Sequence, residues 1–216
     1  MENKINSKIE EFFSQYKLRT YNKGQVLLLN GSETNFICYI ISGIVKVYDV
    51  TDAGDEVVLN VFKHPAFFPV SLALNNTMNP FIYEAHSPTT VREAPAEDVL
   101  EFIRNNPDIM LDLLSRVYRG VDGILGRMFI LISGSAKTRL VYELIIDARR
   151  FGERQIDGSY ILHISEKELG SRAGLTRETI SREVHKLVNE NFITMKARQI
   201  IIPDLHRLEN ILGQAI

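Results

Sequence analysis

Residues 165–188 read SEKELGSRAGLTRETISREVHKLV, and this stretch restricts the possible folds more than any other part of the chain. Ser165 followed three residues later by Glu168 is a capping box that opens a helix, and Gly174 offers the left-handed conformation that closes it. Thr176 then caps a second helix. On that second helix Ile180, Val184, Leu187 and Val188 fall on one face, while Glu178, Ser181, Arg182 and His185 fall on the other. The apolar face must bury and the polar face must look outward. Gly170, Ala173 and Gly174 keep side-chain bulk out of the junction, which is the steric condition for two helices joined by so short a turn. An ordinary helical hairpin with a solvated charged face would account for the charges. It would not account for the agreement of caps, glycines and outward residues.

A helix presented in this way fits the major groove of B-DNA with its N-terminal residues nearest the base edges. Arg177 and Arg182 can each fork onto guanine O6 and N7, Glu178 can accept from cytosine N4, and Ser181 adds a hydroxyl. These four are the candidate base readers. Ser165, Thr176, Thr179, His185 and Lys186 are candidates for contact with phosphate. Downstream, 192–195 and 199–202 are two short apolar runs joined by Lys196-Ala197-Arg198. They predict a hairpin wing with Lys196 and Arg198 at a tip where phosphate could be reached.

Charge supports this division of the chain. The whole sequence carries a net −2, but residues 137–216 hold 13 Lys+Arg against 11 Asp+Glu, and residues 1–136 hold 12 against 16. The positive end is the helix-turn-helix end. Its excess is small, which favours a site-specific binder working as a dimer over a nonspecific coat of nucleic acid.

The chain opens with a predicted amphipathic helix over 2–17, carrying Ile5, Ile9, Phe12, Phe13 and Tyr16. From Arg19 the period changes to short runs rich in β-branched and aromatic residues at 26–29, 36–41, 44–50 and 56–62, separated by turn residues. Strands are expected to continue through 67–74 and 81–94, with prolines at their ends and edges. The whole predicts an antiparallel sandwich or barrel closed by a short helix at 98–103. A long helix is expected over 107–133, with Leu111, Leu114, Tyr118, Val121, Leu125, Met128 and Ile132 alternating three and four residues apart. That heptad seam is the pattern two helices use to pair, so these seven are the candidate dimer interface. The competing reading is a helix lying on its own barrel. Ser133-Gly134-Ser135 is a candidate hinge, Ala136 begins another amphipathic helix, and 155–164 predicts a hairpin leading into the helix-turn-helix. The expected domains are a sensory barrel at 1–106, a dimerisation helix and hinge at 107–134, and a winged helix-turn-helix at 135–216. The fold class is α+β.

A barrel, long helix, hinge and winged helix-turn-helix in that order resemble the CRP/FNR family of bacterial transcription regulators over essentially the whole chain. The likeness is tightest at Thr176-Arg177-Glu178-Thr179-Ile180-Ser181-Arg182, which is similar to the family's recognition helix. The resemblance implies a jelly-roll, cyclic-nucleotide-binding-like barrel and a homodimer on double-stranded DNA, with RNA polymerase as a further partner. Arg177, Glu178 and Arg182 match the base-reading positions of the cyclic-AMP branch, and Glu178, Ser181 and Arg182 match those of the FNR branch. Palindromes of TGTGA-like or TTGAT-like half-sites follow from that.

The sensor half departs from the family. Where cyclic-nucleotide members place a Gly-Glu-Leu run for the ribose and an Arg-Ser pair for the phosphate, this chain has Phe67-Phe68-Pro69-Val70-Ser71-Leu72 and Pro80-Phe81. A phosphate buried without a cation is costly, so no cyclic nucleotide is expected. Control by some other, unidentified effector, or constitutive activity, takes its place. Phe67, Phe68, Val70, Leu72, Phe81 and Tyr83 form either a solid core, the favoured reading, or a pocket for an apolar ligand.

The remaining residues exclude rather than suggest. Cys38 is the only cysteine and lies in an apolar run, so it is expected to pack rather than to react. The five histidines show no pair at metal-ligand spacing, and neither a metal nor another cofactor is expected. Haem on His64 or His86 and a cupin-like metal enzyme are the alternatives, both opposed by the lack of clustered ligands. A DNA-independent adaptor is opposed by the outward set on the second helix. With 45% apolar and 24% charged residues, no apolar run of membrane length and no signal-peptide pattern at the N-terminus, the chain is expected in the cytoplasm.

Overall fold

The computed structural model describes residues 2–52, 54, 56–196 and 199–213. The chain divides into two units, Met1–Ser115 and Arg116–Ile216, each with its own core. It is an α+β chain, with antiparallel sheets first, then a long helix, then a helix-turn-helix.

The first unit begins with α1 (Glu2–Ser14), whose Ile5, Ile9 and Phe13 are buried. The helix ends earlier than the periodicity predicts, because Tyr16 turns back onto the Phe13 carbonyl and Lys17 already starts a strand. Eight strands follow: β1 (Lys17–Tyr21), β2 (Val26–Leu28), β3 (Phe36–Ser42), β4 (Ile44–Val50), β5 (Glu56–Lys63), β6 (Phe67–Phe68), β7 (Ile82–Ala85) and β8 (Thr89–Pro95). They form two antiparallel four-stranded sheets ordered β1-β8-β3-β6 and β2-β7-β4-β5. Alternation places Cys38, Ile40, Val45, Val47, Phe68, Tyr83 and Val91 in one shared core, and burial pushes the Cys38 thiol pKa far up.

Two expectations for this region are corrected. Residues 67–74 are not one strand: the run stops at Phe68, and Pro69, with no N–H for a ladder, precedes the short helix α2 (Val70–Asn75). Asn76, at φ 48°, ends that helix in the left-handed region. Residues 81–94 are likewise two strands in different sheets, separated by a turn containing Pro88, which carries the chain from one sheet to the other. The short closing helix is longer than expected, α3 (Ala96–Asn105), with Val99 and Ile103 buried against α1.

The long helix α4 (Pro107–Ser133) contributes Ile109 to the first core and Ile130 to the second. The second unit continues with α5 (Ala136–Phe151), capped by Ser135, and with β9 (Glu153–Arg154) and β10 (Tyr160–Leu162). Helices α6 (Glu166–Ala173) and α7 (Arg177–Asn189) come next, then β11 (Thr194–Lys196) and β12 (Gln199–Ile202). The four strands make one sheet, ordered β11-β12-β10-β9. A last helix, α8 (Leu205–Leu212), is absent from the sequence-based expectation. Its signals are local: Asp204 accepts from the Arg207 N–H as N-cap, and Leu208 and Leu212 bury four residues apart.

Candidate nucleic-acid interface

The helix-turn-helix is assembled from local interactions. The Ser165 hydroxyl accepts from the Glu168 N–H at 3.2 Å, and the Glu168 carboxylate accepts from the Ser165 N–H at 2.8 Å and from its hydroxyl at 2.7 Å. At the other end of α6, Gly174 sits at φ 61°, and its N–H and that of Leu175 both donate to the Gly170 carbonyl. Gly170 is buried where the turn passes closest. Thr176 caps α7, accepting from the Thr179 N–H at 3.3 Å, with the two threonine hydroxyls 3.0 Å apart.

This frame anchors α7 by Ile180, Val184 and Leu187, all fully buried, against Leu169 and Ala173 of α6 and Leu140, Leu144 and Ile145 of α5. The opposite face is left to solvent. Arg177, Glu178 and Arg182 are exposed and Ser181 is half-buried, so the four candidate base readers share the outer side of the first two turns. Arg177 and Glu178 form no ion pair among the described residues. Arg182 makes only a loose contact, its Nε lying 3.8 Å from the Glu183 carboxylate. A guanidinium with so weak an internal partner is available for bidentate recognition.

The candidate phosphate contacts divide into engaged and unengaged groups. The hydroxyls of Ser165 and Thr176 serve the caps, and Thr179 is half-buried beside Thr176. His185 and Lys196 are exposed, and the Lys186 ammonium donates to Glu183 at 2.8 Å. Arg198 lies outside the described residues.

Two side chains escaped the sequence reading. Glu183 is 5% exposed, on the buried side of α7, where it holds Lys186. Arg207 on α8 donates to the carbonyls of Asn191 and Glu190 and lies 4.6 Å above the Phe192 ring, pinning the end of α7 to α8. The Asp204 cap and the Leu208/Leu212 spacing were the local signals that could have located Arg207.

Along α4 a second surface stands open. Met110, Leu111, Leu114, Val117, Tyr118, Val121, Ile124, Leu125, Met128, Phe129 and Ile132 are 43–78% exposed. At 100° per residue they cover a stripe roughly 140° wide. The seven seam residues lie within it, and Val117 and Ile124 widen it on one side.

In the first unit, Phe68 stacks between Phe62 and Tyr83, with ring centroids 5.0 and 5.4 Å away. Phe67 is buried in the neighbouring core against Phe13, Val70 packs at the edge of that core, Phe81 borders the Phe68 core, and Leu72 is half-buried. No lysine or arginine occurs between Lys63 and Arg92, and the Arg92 guanidinium donates to the Tyr16 carbonyl at 2.7 Å. His64 brings Nδ1 to 3.0 Å from the Ile40 carbonyl and Nε2 to 3.6 Å from Glu10. No helix among the described residues is long and apolar enough to cross a membrane.

Comparison with known proteins matches residues 18–106 to the cyclic nucleotide-binding domain and residues 138–211 to the Crp-like helix-turn-helix domain. The global nitrogen regulator of Nostoc sp. is 26% identical over 192 residues, covering 86% of this chain and 84% of that protein. The fumarate nitrate reduction regulatory protein of Klebsiella oxytoca is 27% identical over 195 residues, covering 89% and 77%. A CRP/FNR-family transcriptional regulator from Thermus thermophilus superposes with a TM-score of 0.74 at 19% identity, covering 93% of this chain and 100% of the other. FixK2 from Bradyrhizobium japonicum superposes at 0.71 and 20% identity, covering 93% and 99%. At such identities the structural likeness is one of fold.

Proposed function

Because this chain belongs to the CRP/FNR family of DNA-binding transcription regulators, we propose that it works in the cytoplasm as a homodimer. It reads a palindromic duplex of TGTGA-like or TTGAT-like half-sites and acts on transcription through RNA polymerase. The observation that carries this reading is the outer face of α7, where Arg177, Glu178 and Arg182 stand exposed on a helix whose inner face is locked into the core. One such helix per subunit would enter the major groove of each half-site, a helical turn apart. The apolar stripe of α4 supports pairing of two copies, since a contiguous apolar face of this length is unfavourable in water.

In this reading the regulatory signal is not a cyclic nucleotide. Phe67-Phe68-Pro69-Val70-Ser71-Leu72 offers a buried ring pair, a residue without an N–H and a helix start, with no cation before Arg92. These residues do not fit a buried phosphate, which needs charge-assisted donors to offset its desolvation. The Phe62–Phe68–Tyr83 stack supports a filled interior over an apolar pocket.

Competition binding at fixed salt, with fluorescently labelled palindromic duplexes against scrambled ones, tests the function. Preference for the palindrome by orders of magnitude is expected, because phosphate attraction alone does not distinguish the two. Equal competition by the scrambled duplex would sink the proposal.

A further inference from the structure

The second unit buries charge that the outer face of α7 does not use. Glu143 and Asp147, one turn apart on α5, are 2% and 3% exposed, and each meets a cation from another helix. Arg127, in the C-terminal half of α4, brings Nε to 3.1 Å from Glu143 Oε1, and its Nη2 donates to the Arg172 carbonyl at 3.4 Å. Arg172, in the last turn of α6, donates through Nη1 to Asp147 Oδ1. Arg150 and Tyr142 complete the titratable groups around the two carboxyls.

As a source of stability this arrangement is poor. The Arg127 Nε–H is not aimed at Glu143 Oε1, and Asp147 Oδ2 has no hydrogen-bond partner among the described residues. Burial holds the Glu143 carboxyl up at about 7 against the pull of Arg127, and raises Asp147 as well. Buried ion pairs with unmade hydrogen bonds do not repay desolvation, and apolar side chains of equal volume would join these helices more cheaply. What a guanidinium adds is placement: a rigid planar fork meets a carboxylate on one helix and a carbonyl on another only in a narrow range of positions.

We infer that Arg127 is a positioning residue: through Glu143 and the Arg172 carbonyl it ties the C-terminal half of α4 to the first helix of the helix-turn-helix, and so sets where α7 stands. The Arg172–Asp147 pair extends the tie by holding α6 to α5. Helix α7 follows α6 because the Gly170 carbonyl receives both N–H groups of the turn between them. The consequence for DNA rests on the function proposed above; the tie itself does not.

Amide hydrogen exchange on the full-length, DNA-free protein tests the tie. In Arg127→Gln, amides of 124–130 and 166–173 are expected to exchange about tenfold faster than in wild type, while those of β10 and β12 keep their rates. Arg127→Lys, which retains a charge opposite Glu143, is expected to recover most of the protection. Uniform acceleration across the unit, or unchanged rates in α6, overturns the inference. Should Arg127→Gln fail to fold, Arg127→Met keeps an unbranched stem, removes the charge and carries the same comparison. On palindromes whose half-sites are moved apart by one base pair, Arg127→Gln is expected to lose the wild-type spacing preference with an unchanged salt slope. A slope reduced by about one would make Arg127 a phosphate contact and overturn its positioning role. Wild-type protein that binds no duplex would count against the proposed function alone, with the exchange result still deciding the role of Arg127.

Discussion

Gly170 faces the carbonyl of Leu175 so closely that a Cβ on it would stand 2.8 Å from that oxygen, with Ile180 Cγ1 at 3.5 Å. The obstacle is backbone rather than a flexible side-chain end, so a methyl group cannot be absorbed without moving the turn. Gly170→Ala is expected to lower stability by about 1–3 kcal/mol, the range for overpacking a well-packed site. Urea unfolding monitored by circular dichroism reads this as a lower midpoint at constant slope. An unshifted midpoint would show that the turn yields freely.

Arg182 has no strong internal partner to lose, so its replacement tests recognition rather than folding. Arg182→Ala is expected to weaken binding by about 1–3 kcal/mol and to relax discrimination at one guanine per half-site. Anisotropy titrations against duplexes substituted at each position would reveal it. Unchanged affinity and unchanged base preference would remove Arg182 from the reading set.

The stripe on α4 predicts the assembly state. Leu125, 57% exposed, lies on the seam, and Leu125→Glu places a charge where two copies would bury an apolar side chain. Sedimentation velocity is expected to show a wild-type dimer and a variant shifted to monomer, with affinity for the palindrome lost in parallel. A variant that sediments with the wild type would rule out this seam as the interface.

Glu143 predicts how stability varies with pH. Burial raises its carboxyl from an ordinary 4.5 to about 7. Between those values the folded chain holds a proton that the unfolded chain has released. This contribution is therefore full below 4.5 and lost as pH rises through 7, about 3 kcal/mol for a shift of that size. Glu143→Gln is expected to be level with wild type near pH 4.5 and more stable than wild type at about pH 8. Thermal melts across that range check it, and parallel pH profiles for the two proteins would refute it.

Short-range chemistry made much of this architecture legible in the sequence. Ser165 with Glu168, Thr176 with Thr179, and Gly174 act within four residues of one another, so the helix-turn-helix and its outward face could be read without coordinates. The exposed apolar stripe of α4 was readable for the related reason that a helical period repeats along the chain. Beyond that range the reading failed where the partner was distant. Pro69 converted an expected strand into a strand end and a helix, and 81–94 split because its two halves pair with strands of different sheets, β7 with β2 and β4 and β8 with β1 and β3. Nothing local marks Glu143, Asp147 or Glu183 for enclosure, yet all three are buried. The cations facing Glu143 and Asp147 come from α4 and α6, 16 and 25 residues away. Whether a charge is hydrated or enclosed depends on what folding brings against it, and only the tertiary structure supplies that neighbour.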